Sequence, residues 1–345
     1  MRIAFLTPLH RRGPWQTPEN GHGSWALAAG AEFFPYDAAD LGPLEACDPL
    51  LLHVSMGLYE AATRVLDRFP RKAAVLMLTC DAMFIDPQGF FPGWRTPLKA
   101  LLDRARLAVT ETEEVGFFQA MTATPVVHLP LPLPLAAMRA AKKSCEFRVA
   151  SCGLGGGDGG PLVLLGAGFR PKKNGIASAM AFRRLRSAEP AARAVVFADE
   201  PDAEREAYAA WDVQGVEVRP STCDQPLYWR AAAACDLALH LDYRRTIGRF
   251  SADCAALGVP CISTDGATMQ RALFPDLIVG PWDVEGAVAL ALRLLRSPVF
   301  RDRVVEKAAS AVEALDLKPM GRRFRELLRR YGMGEPTRTP ITEHR

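Results

Sequence analysis

Short, continuous apolar runs alternate with amphipathic segments over the first 130 residues of the chain. Runs of this kind, bounded by turn residues, indicate strands that are buried on both faces. Their alternation with helical patterns predicts a parallel sheet covered by helices on both sides. The predicted strands are residues 2–7, 32–36, 50–54, 73–79, 107–110 and 125–129, and the predicted helices are residues 59–69, 98–106 and 113–121.

The pattern breaks after residue 130. Three prolines alternate with leucines at residues 130–134, and residues 151–160 read SCGLGGGDGG. Such a composition continues neither a helix nor a sheet. We therefore expect residues 1–135 to form one domain and residues 136–160 to be a linker or mobile loop.

The second half of the chain restarts the same alternation. It predicts a second domain at residues 161–315, followed by a C-terminal helix and tail at residues 316–345 that can pack back on the first domain. The expected fold class is α/β, with two Rossmann-like doubly wound domains facing across a cleft. The predicted strands are residues 162–166, 194–198, 216–219, 237–240 and 261–263, and the predicted helices are residues 174–187, 225–234, 251–257, 283–296, 302–315 and 321–331.

Composition argues against several classes of protein but does not identify a binding partner. The net charge of +3 is too small to indicate nucleic-acid binding by itself, although the last predicted helix carries an arginine cluster that favours a solvated basic face. The sequence shows no run of about 20 apolar residues and no signal-peptide pattern, and its cysteines lie in apolar surroundings without a Cys-x-x-Cys pair. We expect a cytoplasmic protein with no transmembrane segment and no bound metal or cofactor.

A basic turn follows the first strand of the second half. The segment GAGFRPKKNG at residues 166–175 ends a strand, brings in Arg170 and Lys173, and opens a helix. An arginine offers planar bidentate donors and a lysine offers a compact charge, so the two together suit a diphosphate. A basic turn that merely leads into a helix is the competing interpretation.

A second candidate anion site lies at residues 248–260, which read GRFSADCAALGVP. A helix that begins near Arg249 presents free backbone N–H groups and a positive dipole end. Asp253, about one turn into this helix, could accept hydrogen bonds from two adjacent ribose hydroxyls. Alternatively, it is an acid that only complements the helix dipole.

These motifs resemble the donor-binding domain of the GT-B glycosyltransferases, and most closely glycosyltransferase family 4. Arg170 and Lys173 match the family's basic pair, and the segment YWRAAAACD at residues 228–236 matches its Tyr-x-x-Ala-Asp segment. Asp253 falls on the second acid of the family's acid pair, and ALGVP at residues 256–260 matches closely. The resemblance covers residues 160–297, whereas the first half matches only in rhythm.

The resemblance implies a role for each matching residue. Arg170 and Lys173 would bind the donor diphosphate, and Asp253 would bind the ribose. The segment at residues 219–227 would clamp the base. The transferred sugar would lie against the backbone of the turn formed by Thr246, Ile247, Gly248 and Arg249.

Arg245 departs from the family pattern, because it replaces the first acid of the pair. A cation at this place favours a carboxylate or phosphate on the donor or the acceptor. It is also compatible with a different sugar pose or with lost activity.

Two segments of the first half are further candidates. Gly23 and Ser24 belong to a Gly-x-Gly-Ser loop that resembles the glycine loop near the donor phosphates, although Ser24 equally suits a helix cap. Asp81 follows a buried strand, where it would orient or deprotonate an acceptor hydroxyl or, alternatively, cap a helix.

The sequence thus predicts a metal-independent, retaining glycosyltransferase that uses a nucleoside diphosphate sugar, with UDP as the first choice of nucleotide. The acceptor stays open: a glycan, a small molecule or hydroxylated bases in DNA, as in phage-type enzymes. Two other classes stay open as well, a sugar-nucleotide epimerase of the same fold and a catalytically degenerate nucleotide-binding module.

Overall fold

Two parallel β-sheets, one in each half of the chain, organise the protein. A computed structural model of the chain describes residues 2–7, 23–36, 38, 40–55, 58–79, 95–146, 159–166, 168–169, 173–221 and 225–333. The strands are β1 (Ala4–Thr7), β2 (Glu32–Pro35), β3 (Leu50–Val54), β4 (Ala74–Leu78), β5 (Leu107–Thr110), β6 (Val126–His128), β7 (Leu162–Leu165), β8 (Arg193–Ala198), β9 (Val216–Pro220), β10 (Leu237–His240) and β11 (Cys261–Ser263).

Helices cover these sheets. They are α1 (Gly23–Ala29), α2 (Tyr59–Arg68), α3 (Arg95–Arg104), α4 (Val115–Gln119), α5 (Leu135–Glu146), α6 (Gly175–Ala188), α7 (Pro201–Ala210), α8 (Gln225–Ala233), α9 (Arg249–Leu257), α10 (Thr268–Leu273), α11 (Val284–Arg296), α12 (Pro298–Val312) and α13 (Leu317–Arg330). None of the helices within the described residues is long and apolar enough to span a bilayer.

The strand order gives each sheet one switch point. The first sheet runs β2-β1-β3-β4-β5-β6 and the second runs β11-β10-β7-β8-β9. All strand pairs are parallel. The order reverses between β1 and β3 in the first sheet and between β7 and β10 in the second. In such sheets ligands bind at the carboxyl ends of the strands next to the switch point.

The strand predictions are confirmed because almost every strand is a continuous apolar run. Residues 107–110, 237–240 and 261–263 form strands with the predicted bounds. The helix predicted at residues 283–296 is observed as α11, and Asp283 caps it because its side chain accepts a hydrogen bond from the Gly286 backbone N–H at 2.8 Å.

The segment predicted as a linker begins with a helix instead. Residues 135–146 form α5, and this helix packs against α8 in the second half. Buried Leu135 and Met138 lie on one face of α5 together with Ala141, at helical spacing, and this apolar face outweighs the helix-breaking prolines before it. The glycine-rich residues that follow, 147–158, lie outside the described residues.

The last helix of the chain crosses back to the first domain. α13 packs against α1, where the rings of Trp25 and Phe324 lie 5.5 Å apart. Backbone hydrogen bonds on both sides of Leu133 fix the start of α13, with N···O distances of 2.8 and 3.2 Å to Leu315 and Leu317. The arginines of α13 lie on its exposed face: Arg322, Arg323, Arg325, Arg329 and Arg330.

A second contact joins the two halves across the cleft. Glu113 follows β5 at the carboxyl edge of the first sheet, and Arg271 lies on α10 beside the carboxyl edge of the second. The Arg271 guanidinium forms an ion pair with the Glu113 carboxylate and also donates to the backbone carbonyl of Asp265. The two carboxyl edges therefore face each other.

The close packing of α13 on α1 requires a glycine at position 321. A Cβ atom at Gly321 would lie 2.1 Å from the carbonyl oxygen of Ala28, which is backbone and cannot move aside cheaply. We expect Gly321→Ala to lower the free energy of unfolding by about 2 kcal/mol, as measured by urea denaturation.

Gly116→Ala is the matched control for this substitution. Gly116 also lies in a helix, but a Cβ atom there would meet nothing within 4 Å. We expect no loss of stability in this variant, since alanine favours a helix by up to about 1 kcal/mol over glycine. Equal stability of the two variants would contradict the close packing of α13 on α1.

Candidate active site

At the switch point of the second sheet, the side chain of His240 packs against Gly166. His240 ends β10 and Gly166 follows β7, and a Cβ atom at Gly166 would lie 2.7 Å from the His240 ring carbon Cγ. The ring also makes a T-shaped contact with Phe250 of α9 at 5.0 Å. Glycine at position 166 is therefore required for β7, β10 and α9 to meet at one place.

His240 is neutral at physiological pH. It is 6% exposed, and neither ring nitrogen has a hydrogen-bond partner among the described residues. Burial lowers the pKa of His240 to about 4, and the nearby charges of Lys173 and Arg244 lower it further against the opposing effect of Asp242. Lys173 directly precedes Asn174, whose side-chain amide bonds to the carbonyl of Leu241, the residue after His240.

Glu204 of α7 contacts two residues of the GAGFRPKKNG segment, Gly168 and Phe169. The backbone N–H of Phe169 donates to the Glu204 carboxylate at 2.6 Å, and a Cβ atom at Gly168 would overlap that carboxylate. Both glycines of the Gly-x-Gly sequence therefore serve side-chain packing, Gly166 against His240 and Gly168 against Glu204. Arg170, the other half of the predicted basic pair, lies outside the described residues.

Asn174 fixes the place where the basic turn enters α6. It caps this helix with a left-handed backbone (φ 50°), and its side-chain amide donates to the carbonyls of Leu241 and Pro281 at 2.9 and 2.6 Å. The turn that carries Lys173 is thus tied to the segment after β10 and to the segment before α11.

Two consecutive arginines follow β10, and they differ in their partners. Asp242, which is 1% exposed, receives hydrogen bonds from the Arg244 side chain through Nε and Nη2, each at 3.2 Å. This bidentate pair neutralises Arg244. Arg245 is exposed and has no ion-pair partner among the described residues, so its charge is available to a ligand.

The glycine turn before α9 is held by backbone hydrogen bonds. Thr246 forms a bridge with Ala267, and the backbone N–H of Met269 donates to the carbonyl of Ile247 at 3.0 Å. Gly248 then adopts a left-handed conformation (φ 78°) and caps α9, and no described side chain bonds to the first turn. The N–H groups and the dipole at this helix start are therefore oriented for an anion.

Arg249 and Asp253 form an ion pair inside α9. The Arg249 Nε donates to the Asp253 carboxylate at 2.6 Å, and Asp253 is 5% exposed. Burial raises the pKa of Asp253, and the Arg249 charge opposes that rise. The two terminal nitrogens of Arg249 are buried without a hydrogen-bond partner among the described residues, so they need an acceptor from a ligand or from water.

Tyr228 of α8 lies close to this ion pair. Burial, and after it the negative charge of Asp253, raises the pKa of the Tyr228 hydroxyl well above its usual value. The Tyr228 ring makes a T-shaped contact with Phe197 at 5.2 Å. The predicted ribose-binding acid is therefore buried and paired with a guanidinium.

The first-half candidates are partly described. Gly23 and Ser24 begin α1 and are buried. The Ser24 hydroxyl donates to the carbonyl of Pro132 at 2.8 Å, which ties α1 to the segment after β6. Asp81 lies outside the described residues.

Several residues of this site could not be predicted from the sequence. His240, Asp242 and Glu204 carry no recognisable motif, because their importance comes from contacts with distant parts of the chain. Glu111 is another: it is fully buried at the carboxyl end of β5 and accepts a hydrogen bond from the Trp25 indole N–H at 2.9 Å. Only their positions could have indicated that His240 and Glu111 belong to the site: His240 ends β10, and Glu111 directly follows β5.

Similar solved structures define the fold class. The chain has the GT-B fold, with two Rossmann-like domains whose carboxyl edges face a cleft. No protein-family model and no curated protein matches the chain.

Three of the similar structures show how far the likeness extends. An α,α-trehalose 6-phosphate synthase from Burkholderia multivorans is 12% identical, with 95% of this chain and 98% of that chain covered and a TM-score of 0.71. A sucrose-phosphate synthase from Thermosynechococcus elongatus is 14% identical, with 96% and 98% covered and a TM-score of 0.73.

The third is the N-terminal domain of trehalose-6-phosphate phosphatase from Candida albicans. It is 11% identical, with 96% of each chain covered and a TM-score of 0.70. A protein named for a different reaction thus has the same fold, so the fold alone does not fix the activity of this chain.

The buried neutral His240 predicts a loss of stability in mild acid. Its pKa is lowered on folding, so between the ordinary value near 6.5 and the folded value of about 4 the unfolded chain binds more protons. The contribution of His240 is therefore complete above the ordinary pKa and falls as the pH drops. The expected loss at pH 5 is about 2 kcal/mol.

Urea denaturation at pH 7 and pH 5, for the natural protein and for His240→Met, measures this contribution. Methionine cannot titrate and adapts to irregular space. The natural protein should lose about 2 kcal/mol more than the variant between the two pH values. The same pH dependence in both proteins would show that His240 does not titrate in this range.

Proposed function

We propose that this protein is a glycosyltransferase that moves a sugar from a UDP-sugar to a hydroxyl acceptor with retention of anomeric configuration. The observation that carries the proposal is the convergence of three features at the switch point of the second sheet: the Asn174 end of the basic turn, His240 and the start of α9. A cation and a helix N-terminus at this position suit a diphosphate.

In the proposed reaction the diphosphate leaves as the sugar is transferred. The bond between the sugar C1 and the β-phosphate oxygen breaks, and the acceptor hydroxyl oxygen bonds to C1 from the same face. The hydroxyl proton passes to the departing phosphate oxygen. Lys173, together with Arg170, stabilises the charge that develops on the diphosphate, and the oriented N–H groups of α9 add to this effect.

Known enzymes support the stereochemical part of the proposal by likeness alone. The similar structures include a trehalose-6-phosphate synthase studied for glycosyl transfer with retention and UDP-forming trehalose-phosphate synthases. We carry UDP and retention over to this chain as parts of the proposal.

Asp253 is the proposed ribose contact, but it shares its carboxylate with Arg249. Because the Arg249 terminal nitrogens are buried and lack partners, a bound nucleotide could supply an acceptor to the guanidinium while its ribose hydroxyls donate to the carboxylate. The Arg249–Asp253 pair would then contact a hydrogen-bond acceptor and a hydrogen-bond donor of the same ligand.

Arg245 points to an anionic substrate. It is the exposed and unpaired member of the Arg244–Arg245 pair in the described part of the chain. We infer that a carboxylate or phosphate, on the donor sugar or on the acceptor, lies against it.

A degenerate nucleotide-binding module is the second candidate. The cation at position 245 favours it, because the catalytic pattern of the family has an acid there, and the Asp253 carboxylate is already paired with Arg249. Such a protein would bind a UDP-sugar without releasing UDP. An epimerase would instead release nucleotide without any acceptor.

Lys173→Ala and Arg170→Ala test the proposed leaving-group site. UDP and UDP-glucose should raise the melting temperature of the natural protein, and either variant should abolish most of that shift. UDP release from UDP-glucose in the presence of glucose 6-phosphate should fall by about 100-fold or more, the scale of losing one oxyanion donor.

Lys307→Ala is the matched control, because Lys307 lies on α12 and faces Asp276 at 3.6 Å, away from the switch point. It should retain both the thermal shift and the turnover. Thermal shifts in both test variants as large as in the natural protein would remove the phosphate assignment.

Arg245→Gln tests the preference for an anion. We expect the natural protein to prefer glucose 6-phosphate over glucose, or UDP-glucuronate over UDP-glucose, and we expect the substitution to cut that preference by about tenfold. Competition assays of UDP release measure both ratios. A preference that survives the substitution would assign the anion to another residue.

A further inference from the structure

Two exposed aromatic rings lie parallel at the carboxyl edge of the second sheet. Trp282 is 68% exposed and Tyr243 is 38% exposed. Their rings are inclined by 13° with centroids 6.4 Å apart. Among the described residues, this is the ring pair in which both members are exposed, since the exposed Phe117 and Trp211 pair with less exposed rings.

The protein holds this ring pair in place with a buried side chain. Asn174 is 2% exposed, and its amide donates to the carbonyl of Pro281, directly before Trp282, and to the carbonyl of Leu241, two residues before Tyr243. One amide group therefore fixes both segments that carry the rings. The left-handed backbone of Asn174 adds a cost that such a structure must offset elsewhere.

The ring pair borders the candidate active site. Asn174 directly follows Lys173, and Tyr243 stands between the buried Asp242 and the Arg244–Arg245 pair. Tyr243 follows β10 by three residues, and Trp282 lies two residues before α11. The segment that the family resemblance assigns to the base begins in β9, which lies beyond β7 and β8 at the opposite end of the same sheet.

A single six-membered sugar ring fits these rings better than a protein partner does. Two side chains offer far less area than the roughly 1,000 Å² that a specific protein interface buries. Aromatic faces carry negative charge density, which attracts the C–H bonds on the flat side of a pyranose while the sugar hydroxyls remain free at its edge. Arg245 is close enough in sequence to meet a substituent of that ring.

We propose that Tyr243 and Trp282 bind the pyranose ring of the acceptor. The inference rests on the proposed glycosyltransferase function and adds a substrate class to it. The acceptor ring stacks on the aromatic pair, its anionic substituent faces Arg245, and its reactive hydroxyl is directed towards the diphosphate site beside Lys173.

The test is a titration with two probes, maltotriose and glucose 6-phosphate, followed by tryptophan fluorescence and by calorimetry. Trp282→Ala should weaken the binding of at least one probe by about tenfold or more, and Tyr243→Ala should weaken the same probe. Trp282→Phe, which keeps an aromatic face, should stay within about threefold of the natural protein.

Trp211→Ala is the matched control. Trp211 is a 47% exposed tryptophan at the end of α7, and its ring stacks on Phe169 instead of on Tyr243 or Trp282. Its removal should leave sugar binding unchanged, and all variants should keep the melting temperature of the natural protein because the substituted side chains are exposed.

Three results would overturn the inference. The first is that the natural protein binds neither probe, and the second is that Trp282→Ala binds both probes unchanged. The third is that Trp282→Ala loses affinity for UDP, or loses the advantage of UDP-glucose over UDP, since the rings would then hold the donor. Sugar binding without any thermal shift by UDP would overturn the proposed function and leave the surface as a glycan site.

Discussion

The packing of His240 over Gly166 is the contact on which the candidate site depends. It brings the ends of two neighbouring strands so close that only a glycine fits, and it excludes water from the imidazole. The ring is therefore neutral and acts as a spacer between the basic turn and α9. A larger residue at position 166 would push Lys173 away from the helix start, and the anion site would lose its geometry.

The arginines around His240 differ in whether a carboxylate pairs with them. Arg244 forms a bidentate ion pair with Asp242, and Arg249 pairs with Asp253 through its Nε alone. Arg245 has no ion-pair partner among the described residues. The Arg244–Asp242 pair lies within the segment after β10, whereas the Arg249–Asp253 pair lies within α9. The net positive charge that remains is concentrated where a diphosphate and a second anion would lie.

The sequence predicted the sheets well because most strands are continuous apolar runs, which are a local signal. It missed α5, α7 and α10, which are short or follow helix-breaking residues. It identified the α9 start and Asp253 but not the ion pair with Arg249, although their spacing of four residues in a helix is a visible signal. His240 and Asn174 escaped prediction because their roles come from contacts with residues 67 to 107 positions away or across strands.

The return of α13 to the first domain has a consequence for biosynthesis. Trp25 of α1 lies fully buried against Phe324, so the hydrophobic core of the first half includes a helix from the end of the chain. Domains usually fold in order as they leave the ribosome. Here the first half stays incomplete until residues 317–330 have been synthesised, and a nascent chain that stalls before residue 317 would expose an apolar face to chaperones.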